Sequence, residues 1–449
     1  MSLADGAFTR WKSEARRAGA NRGKVFALDW TLAAVPLALV FGQLTLLGAN
    51  SGLLSAAAAL VDLLTLALLL GVAPRASPAF NTVLPVVVLI IAACAWGVII
   101  QPASIAPSAT PLEVAKLMGV AALLLLGVRV GGRRARSKLF CGVLAGLGGA
   151  YALTTFWLYQ ADPFRVMGVV KVSHAERFTG TLLNANAAGV VFGIACLASL
   201  GWLQSLLGRS RGGEAKPAFL SIGLASVLVN LIACGFTASR MAFAVTVLLG
   251  ILLCLVELIS AGEHETTGRT PRLAAVTIVG GLILLAVGLG VGKVLVRDEG
   301  VVDTFNGRMQ VLSHFTAMAQ QRPITGWGLG AFDQINQSSL KSSSASYMYD
   351  FGAAHSAALQ TILEGGLPYF LMLAAAGLLI VSRIVARWRL IRDGWSRGLA
   401  AAVALAALCS LDDIDLNVPA VAALAALILG VLWGRAISAA NHATQETAQ

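Results

Sequence analysis

Charged side chains are scarce. Only 12% of the 449 residues are Asp, Glu, Lys or Arg, about half the share usual in a soluble domain. At the same time 57% of the chain is apolar. Water-soluble domains of this length could not hide that much apolar surface, so a soluble α/β enzyme and a disordered chain are both excluded. Cysteine is sparse too. The six present (Cys94, Cys141, Cys196, Cys234, Cys254, Cys409) fall in or at the ends of apolar runs, without paired spacing. That argues against a disulfide framework and a zinc site, and for small buried hydrophobes. No Walker motif, metalloprotease motif or Ser–His–Asp pattern occurs. No basic stripe with interleaved aromatics points to nucleic acid, despite a net charge of +11.

What is abundant is long apolar runs, each near the ~20 residues that cross a bilayer as a helix. Spans are expected near 25–48, 52–73, 80–100, 112–128, 139–160, 181–206, 218–236, 241–259, 273–296, 366–382, 398–411 and 417–434. The expected fold class is thus all-α, a polytopic membrane protein with about twelve transmembrane helices. The basic stretch from Arg10 to Lys24 precedes an apolar run too long for a cleaved leader. With both termini placed in the cytoplasm, 23 of the 33 Lys and Arg fall on cytoplasmic segments and 10 outside, the bias that orients membrane proteins. The basic excess is then a topology signal and an attraction for anionic membrane lipids.

The expected organisation is a basic cytoplasmic segment 1–24, a first transmembrane region 25–296, a long external loop 297–365, a last transmembrane region 366–440 and a disordered cytoplasmic tail 441–449. The Gly/Arg-rich links 131–138 and 208–216 read as flexible turns. Within the long loop, Phe305, Met309, Leu312, Phe315 and Met318 recur at helical spacing. Residues 305–320 therefore predict an amphipathic helix on the outer interface. The run RPITGWGLGAF at 322–332 is dense in turn residues. GWGLG follows no strand, so it reads as a turn and not a phosphate loop. SSLKSSSAS at 338–346 reads as mobile.

External arginines stand out because the topology bias should keep them inside. Arg177 opens RFTGTLLNANAAG, Arg240 ends TASR, and Arg308 lies in FNGRMQ. One reading is that each caps a helix C-terminus or snorkels to head-groups. The other is that the three share an anionic ligand, a phosphate or diphosphate, which a guanidinium binds bidentately. His355 follows the loop and opens an apolar helical stretch. A histidine's ordinary pKa of about 6.5 suits a general base for a hydroxyl; a hydrogen-bonded structural histidine is the plain alternative. Nine residues on, Glu364 would lie on the opposite face of one straight helix, about 13 Å along it, so a direct His–Glu pair is not expected. Glu364 is expected to pair with an arginine instead. His174 and His314 are external but lack comparable neighbours. Asp412, Asp413 and Asp415, in SLDDIDLN, are read as helix caps and partners of external arginines in preference to metal ligands. Asp29, Asp62 and Glu257 are read as lying towards span ends.

Four segments in order, RFTGTLLNANAAG (177–189), SRMA (239–242), GR with PITGWGLGAF (307–332) and H-x8-E-x-G (355–366), resemble the O-antigen ligase and O-antigen polymerase superfamily of bacterial envelope glycosyltransferases. This chain departs from the common pattern in having Asn184-Ala185-Asn186 for Asn-Pro-Asn and His355-Ser356 for His-Asn. The resemblance implies a GT-C-like inner-membrane enzyme with its active site at the periplasmic face. It implies transfer of a glycan from undecaprenyl diphosphate to a sugar hydroxyl of lipid A-core, inverting and without metal or other cofactor. It further implies catalytic roles for His355, Arg240 and Arg308 and substrate contacts for Arg177, Asn184, Asn186 and Glu364. Polymerisation onto a nascent glycan is the alternative. A lipid-linked glycan flippase is the reading from another class, disfavoured because few ionisable residues lie mid-span.

Overall fold

The structure is a computed structural model that describes residues 25–72, 80–172, 174–207, 217–262, 280–281, 288, 301–340 and 352–447. Among these residues eleven helices are long and apolar enough to cross a membrane, and the chain is an all-α polytopic membrane protein. The expected span 273–296 lies outside the described residues apart from 280, 281 and 288, as do the N-terminal segment 1–24 and the link 208–216.

In chain order the helices are α1 (Val25–Thr45), α2 (Gly52–Val72), α3 (Phe80–Ile100), α4 (Thr110–Gly131) and α5 (Arg134–Ala161). A two-residue hairpin follows, β1 (Arg165–Val166) pairing antiparallel with β2 (Val169–Val170). Then come α6 (Ala185–Leu207), α7 (Pro217–Phe236), α8 (Arg240–Gly262), α9 (Val301–Gln321), α10 (Phe332–Ser339), α11 (Ala357–Ala386), α12 (Trp388–Ile391), α13 (Gly394–Asp412) and α14 (Pro419–Thr447). The closing helix runs through most of the segment read as a disordered tail.

Two helix pairs organise the bundle, and both meet through glycine. In lipid, helices gain little from hiding apolar surface from one another, so small residues that let backbones approach drive packing. Gly127 and Gly131 of α4 face Gly430 and Gly434 of α14. A Cβ at any of the four would collide with a backbone carbonyl of the other helix. These are two G-x-x-x-G repeats, one on each partner. The second pair is α6 against α13. Gly201 meets Gly398, Gly193 meets Leu405, and Asn186 bonds Asp413. The contact moves up one helix as it moves down the other, so the pair is antiparallel. It carries the start of α6 to the end of α13, and α6 is the most deeply buried of the described spans.

Several expectations change here. The link 131–138 is not a free turn: Arg133 and Arg136 both clamp the Asp29 carboxylate at 2.9 Å, a buried charge that needs such partners. Asp62 lies in mid-helix and is buried, its two oxygens each 3.0 Å from Nε2 of Gln43. The described part of the long loop is largely helical. In α9 the buried ridge is Val311, Phe315 and Ala319, spaced by four, so Phe315 is inside while Met309 is exposed. That ridge packs on Phe332, Ile335 and Leu363 of the protein itself. Of the run 338–346, residues 341–346 lie outside the described residues.

Candidate functional site: a histidine at the end of a polar chain

The site is assembled from four loops at one end of the bundle. His355 precedes α11, whose N-cap Ser356 accepts a bond from Leu359 N. Its Nδ1 lies 3.3 Å from Oδ1 of Asp413. Asp413 is the residue on which α13 ends; its other oxygen accepts from Asn186 Nδ2 at 2.5 Å. Asn186 Oδ1 in turn accepts from Arg177 Nη2 at 2.9 Å. Arg177 completes the chain by bonding Nδ1 of His174 at 2.8 Å and, through Nε, the carbonyl of Thr237 at 2.9 Å. Thr237 lies three residues before Arg240. One continuous polar chain therefore joins RFTG, NAN, TASR, the histidine loop and SLDDIDLN.

Burial works against a charge on Asp413, but hydrogen bonding and attraction from His355, with bonds from the Ile414 amide and Asn186, outweigh it. The carboxyl is held below its ordinary range. Its side chain faces His355, Asn186 and the Ile414 amide and is nearly closed off from solvent, while His355 keeps 29% of its side chain exposed. The carboxylate is the inner member of the pair and the imidazole the outer one.

Four of the seven non-glycine residues with positive φ among the described residues lie in the same loops. Among the described residues His174, Leu183, Ala238 and His355 all hold left-handed φ, between 51° and 59°. Each such non-glycine residue costs on the order of 1–3 kcal/mol and persists only where its surroundings enforce it. Strain of this kind concentrates at functional sites.

The H-x8-E-x-G and PITGWGLG segments form one unit. Glu364 faces neither His355 nor an arginine. Its Oε2 accepts from the Gly330 amide at 2.8 Å and its Oε1 from Gln360 Nε2 at 2.6 Å. Gln360 Oε1 then accepts from the Ala354 amide at 2.9 Å, next to His355. Glu364 thus reaches the histidine loop through Gln360, one helical turn back. Beyond it α11 breaks at Gly366, with φ 76° and ψ 174°. The 322–330 loop lies along the break: Trp327 N and Gly328 N bond the carbonyls of Leu363 and Glu364 at 2.9 Å, and Leu367 N bonds Pro323 O at 2.8 Å. A Cβ on Gly366 would collide with Ile324 O, and one on Gly326 with Glu364 O. GWGLG is a turn, as expected, and it docks against the helix that His355 precedes.

The residues read from sequence therefore fall into groups. His355, Arg177 and Asn186 share one chain of contacts. Asn184 caps α6, its Oδ1 accepting from Asn186 N at 2.8 Å and Ala187 N at 3.1 Å. Arg240 is the first residue of α8. It is thus not a C-terminal cap, and helix dipoles disfavour a cation at an N-terminus. Arg308 lies in α9, and its side chain is outside what the structure describes. Asp413 meets His355 and Asn186 where an arginine was expected. His174 has a neighbour in Arg177. Gln360 gave no signal in the sequence, since one glutamine in an apolar stretch looks like any polar helix position; the D-I-D run held the signal for Asp413. Among the described residues no three His, Cys, Asp or Glu side chains gather as a metal group.

Residues 225–374 match the family model for O-antigen ligase. The match takes in Arg240, Arg308, His355 and Glu364; Arg177, Asn186 and Asp413 flank it in the sequence. No curated protein matches the chain.

Proposed function

We propose that this chain, whose residues 225–374 match the family model for O-antigen ligase, is a glycosyltransferase that moves a glycan from undecaprenyl diphosphate to a sugar hydroxyl of lipid A-core at the periplasmic face of the bacterial inner membrane. The observation that carries this reading is the His355–Asp413 pair at the end of the Asn186–Arg177 chain. With Nδ1 of His355 3.3 Å from the Asp413 carboxylate, the tautomer that carries its proton on Nδ1 keeps a lone pair on Nε2. It can then take a proton from a hydroxyl, and the carboxylate stabilises the imidazolium that forms.

In this reaction the acceptor oxygen attacks the anomeric carbon while the bond from that carbon to the diphosphate oxygen breaks, with inversion. The hydroxyl proton passes to His355 Nε2. The bonding electrons leave with the diphosphate, a good leaving group that needs no general acid. Arg240 and Arg308 are assigned to hold the diphosphate oxygens, where fixed positive charge stabilises what develops on departure. Arg177 is assigned differently. With three nitrogens bonded to protein atoms, it serves best by fixing Asn186 and the turn before Arg240. Asn184, as the α6 cap, sets where Asn186 points. Glu364 acts through Gln360 on the histidine loop.

The test is a reconstituted assay with undecaprenyl-diphosphate glycan and either lipid A-core or further donor as acceptor. Ligated lipid A-core supports the proposal. Chains extended on the donor alone would replace it with polymerisation, and no product with either acceptor would overturn it.

A further inference from the structure

The hairpin after α5 is apolar where an extramembranous hairpin should be polar. Phe164, Met167 and Val170 are each more than half exposed, and Val172 is 95% exposed. Contiguous exposed apolar surface marks a contact with something. The sequence leading into it says what. On α5, Leu153 and Trp157 sit one turn apart on one face and are 59% and 70% exposed. They belong to a candidate membrane span, so that face is lipid-facing, and it runs directly into the hairpin. Trp157 near the span's end is the residue type that marks a membrane–water interface. Arg165, exposed on β1, has the reach to place its charge among head-groups.

The hairpin is also held rigidly. Asp162 Oδ1 accepts from Phe164 N and Arg165 N, and Lys171 N bonds Phe164 O at 3.0 Å. Lys171 turns inward and is only 4% exposed. Its Nζ donates to the carbonyl of Arg177 at 2.7 Å and lies 5.4 Å from the centre of the Tyr159 ring. Tyr159 donates to Glu176 O at 2.9 Å. The brace therefore joins an apolar hairpin to the backbone of the arginine that holds Asn186.

We propose that residues 163–172 are a membrane anchor, seated in the head-group and upper acyl region of the leaflet at the His355 end of the bundle, with bilayer lipid as the occupant of their apolar face. A two-stranded hairpin leaves outer-edge N–H and C=O groups unpaired, which hydrocarbon does not tolerate. It therefore lies at the interface and not in the bilayer centre. Resting on the proposed function, the anchor has a use: it fixes Arg177 at the depth where a lipid-borne diphosphate emerges.

The test uses the full chain in vesicles of phosphatidylcholine and phosphatidylglycerol. A nitroxide is attached at Val172→Cys, and separately at Met167→Cys, in a Cys94→Ser background, since the other five cysteines are buried. A label at Gln337→Cys on the exposed face of α10 serves as the aqueous reference. The hairpin labels are expected to collide with dissolved oxygen several-fold more often than with a water-soluble nickel chelate, with the reverse at Gln337. Greater access to the chelate would overturn the proposal. Exclusion of both reagents would also overturn it, in favour of a protein partner or a second copy. The readout needs no activity, so a silent transfer assay beside lipid-exposed labels would sink the enzymatic reading and leave the anchor standing.

Discussion

His355 Nδ1 and Asp413 Oδ1 stand 3.3 Å apart, although one precedes α11 and the other ends α13. The antiparallel packing of α6 on α13 sets this distance, because Asn186 at the start of α6 holds the other oxygen of the same carboxylate. The pair is the part of the site most open to direct test.

Asp413→Asn keeps the size of the side chain and its capacity to accept from Asn186 but removes the charge that would stabilise an imidazolium. Transfer is expected to fall by about 10²-fold or more, in kcat, with donor KM little changed. Steady-state kinetics on reconstituted protein decide it; an unchanged kcat would reduce Asp413 to a helix end. His355→Ala is expected to abolish transfer while donor binding persists.

Acid should release the same contact. Asp413 is held below its ordinary pKa, so its contribution to stability is fully present above about pH 3.9, the unfolded value. It is lost as pH falls through the lower folded value. The margin in melting temperature of the parent over Asp413→Asn should shrink as pH falls below about 3.9. A difference that closes between pH 7 and 5 would contradict the assignment.

Gln360→Leu removes the acceptor of the Ala354 amide and one donor to Glu364. An unmet buried partner costs about 1–3 kcal/mol, and the loop that carries His355 loses its tie. Lower thermal stability is expected together with a drop in kcat. Gln360→Glu, which retains an acceptor for Ala354 N but replaces the amide donor to Glu364 with a second buried carboxyl, should recover little.

Gly366→Ala forces a side chain into a backbone conformation that is essentially glycine-only and onto Ile324 O. A loss of at least about 1–3 kcal/mol is expected, read as a lower melting temperature. Ala at Gly377, where a Cβ meets nothing within 4 Å, should be harmless in the same helix.

Gly430→Leu drives a side chain into the carbonyl of Leu124. The α4–α14 crossing should open, and the expected result is loss of folded protein in the membrane fraction. Gly146→Leu on α5, with open space around it, is the control.

Much of this was legible in the chain. Apolar runs near twenty residues can only be spans, because lipid leaves the backbone no partner but itself. The helical character of 305–320 followed from its spacing, yet its inward ridge did not: Met309 and Phe315 share the pattern, but only contact with Leu363 and Phe332 decides which is covered. His355, Arg177 and Asn186 stood out as polar groups near apolar runs, where their cost demands a reason. The two G-x-x-x-G repeats were present but unreadable as a pair until the helices were seen to cross.

The partners were another matter. Asp413 was expected to face arginines and faces His355 and Asn186; Glu364 was expected to face an arginine and faces Gly330 and Gln360. Hydropathy is a property of each segment alone, so the sequence by itself determined that this chain lives in a bilayer and marked the eleven described helices long and apolar enough to cross it. Which charge meets which is a property of distances between segments, and those arise only when glycine faces let helices close to backbone contact. Tertiary structure alone decided that four remote loops would meet around one histidine.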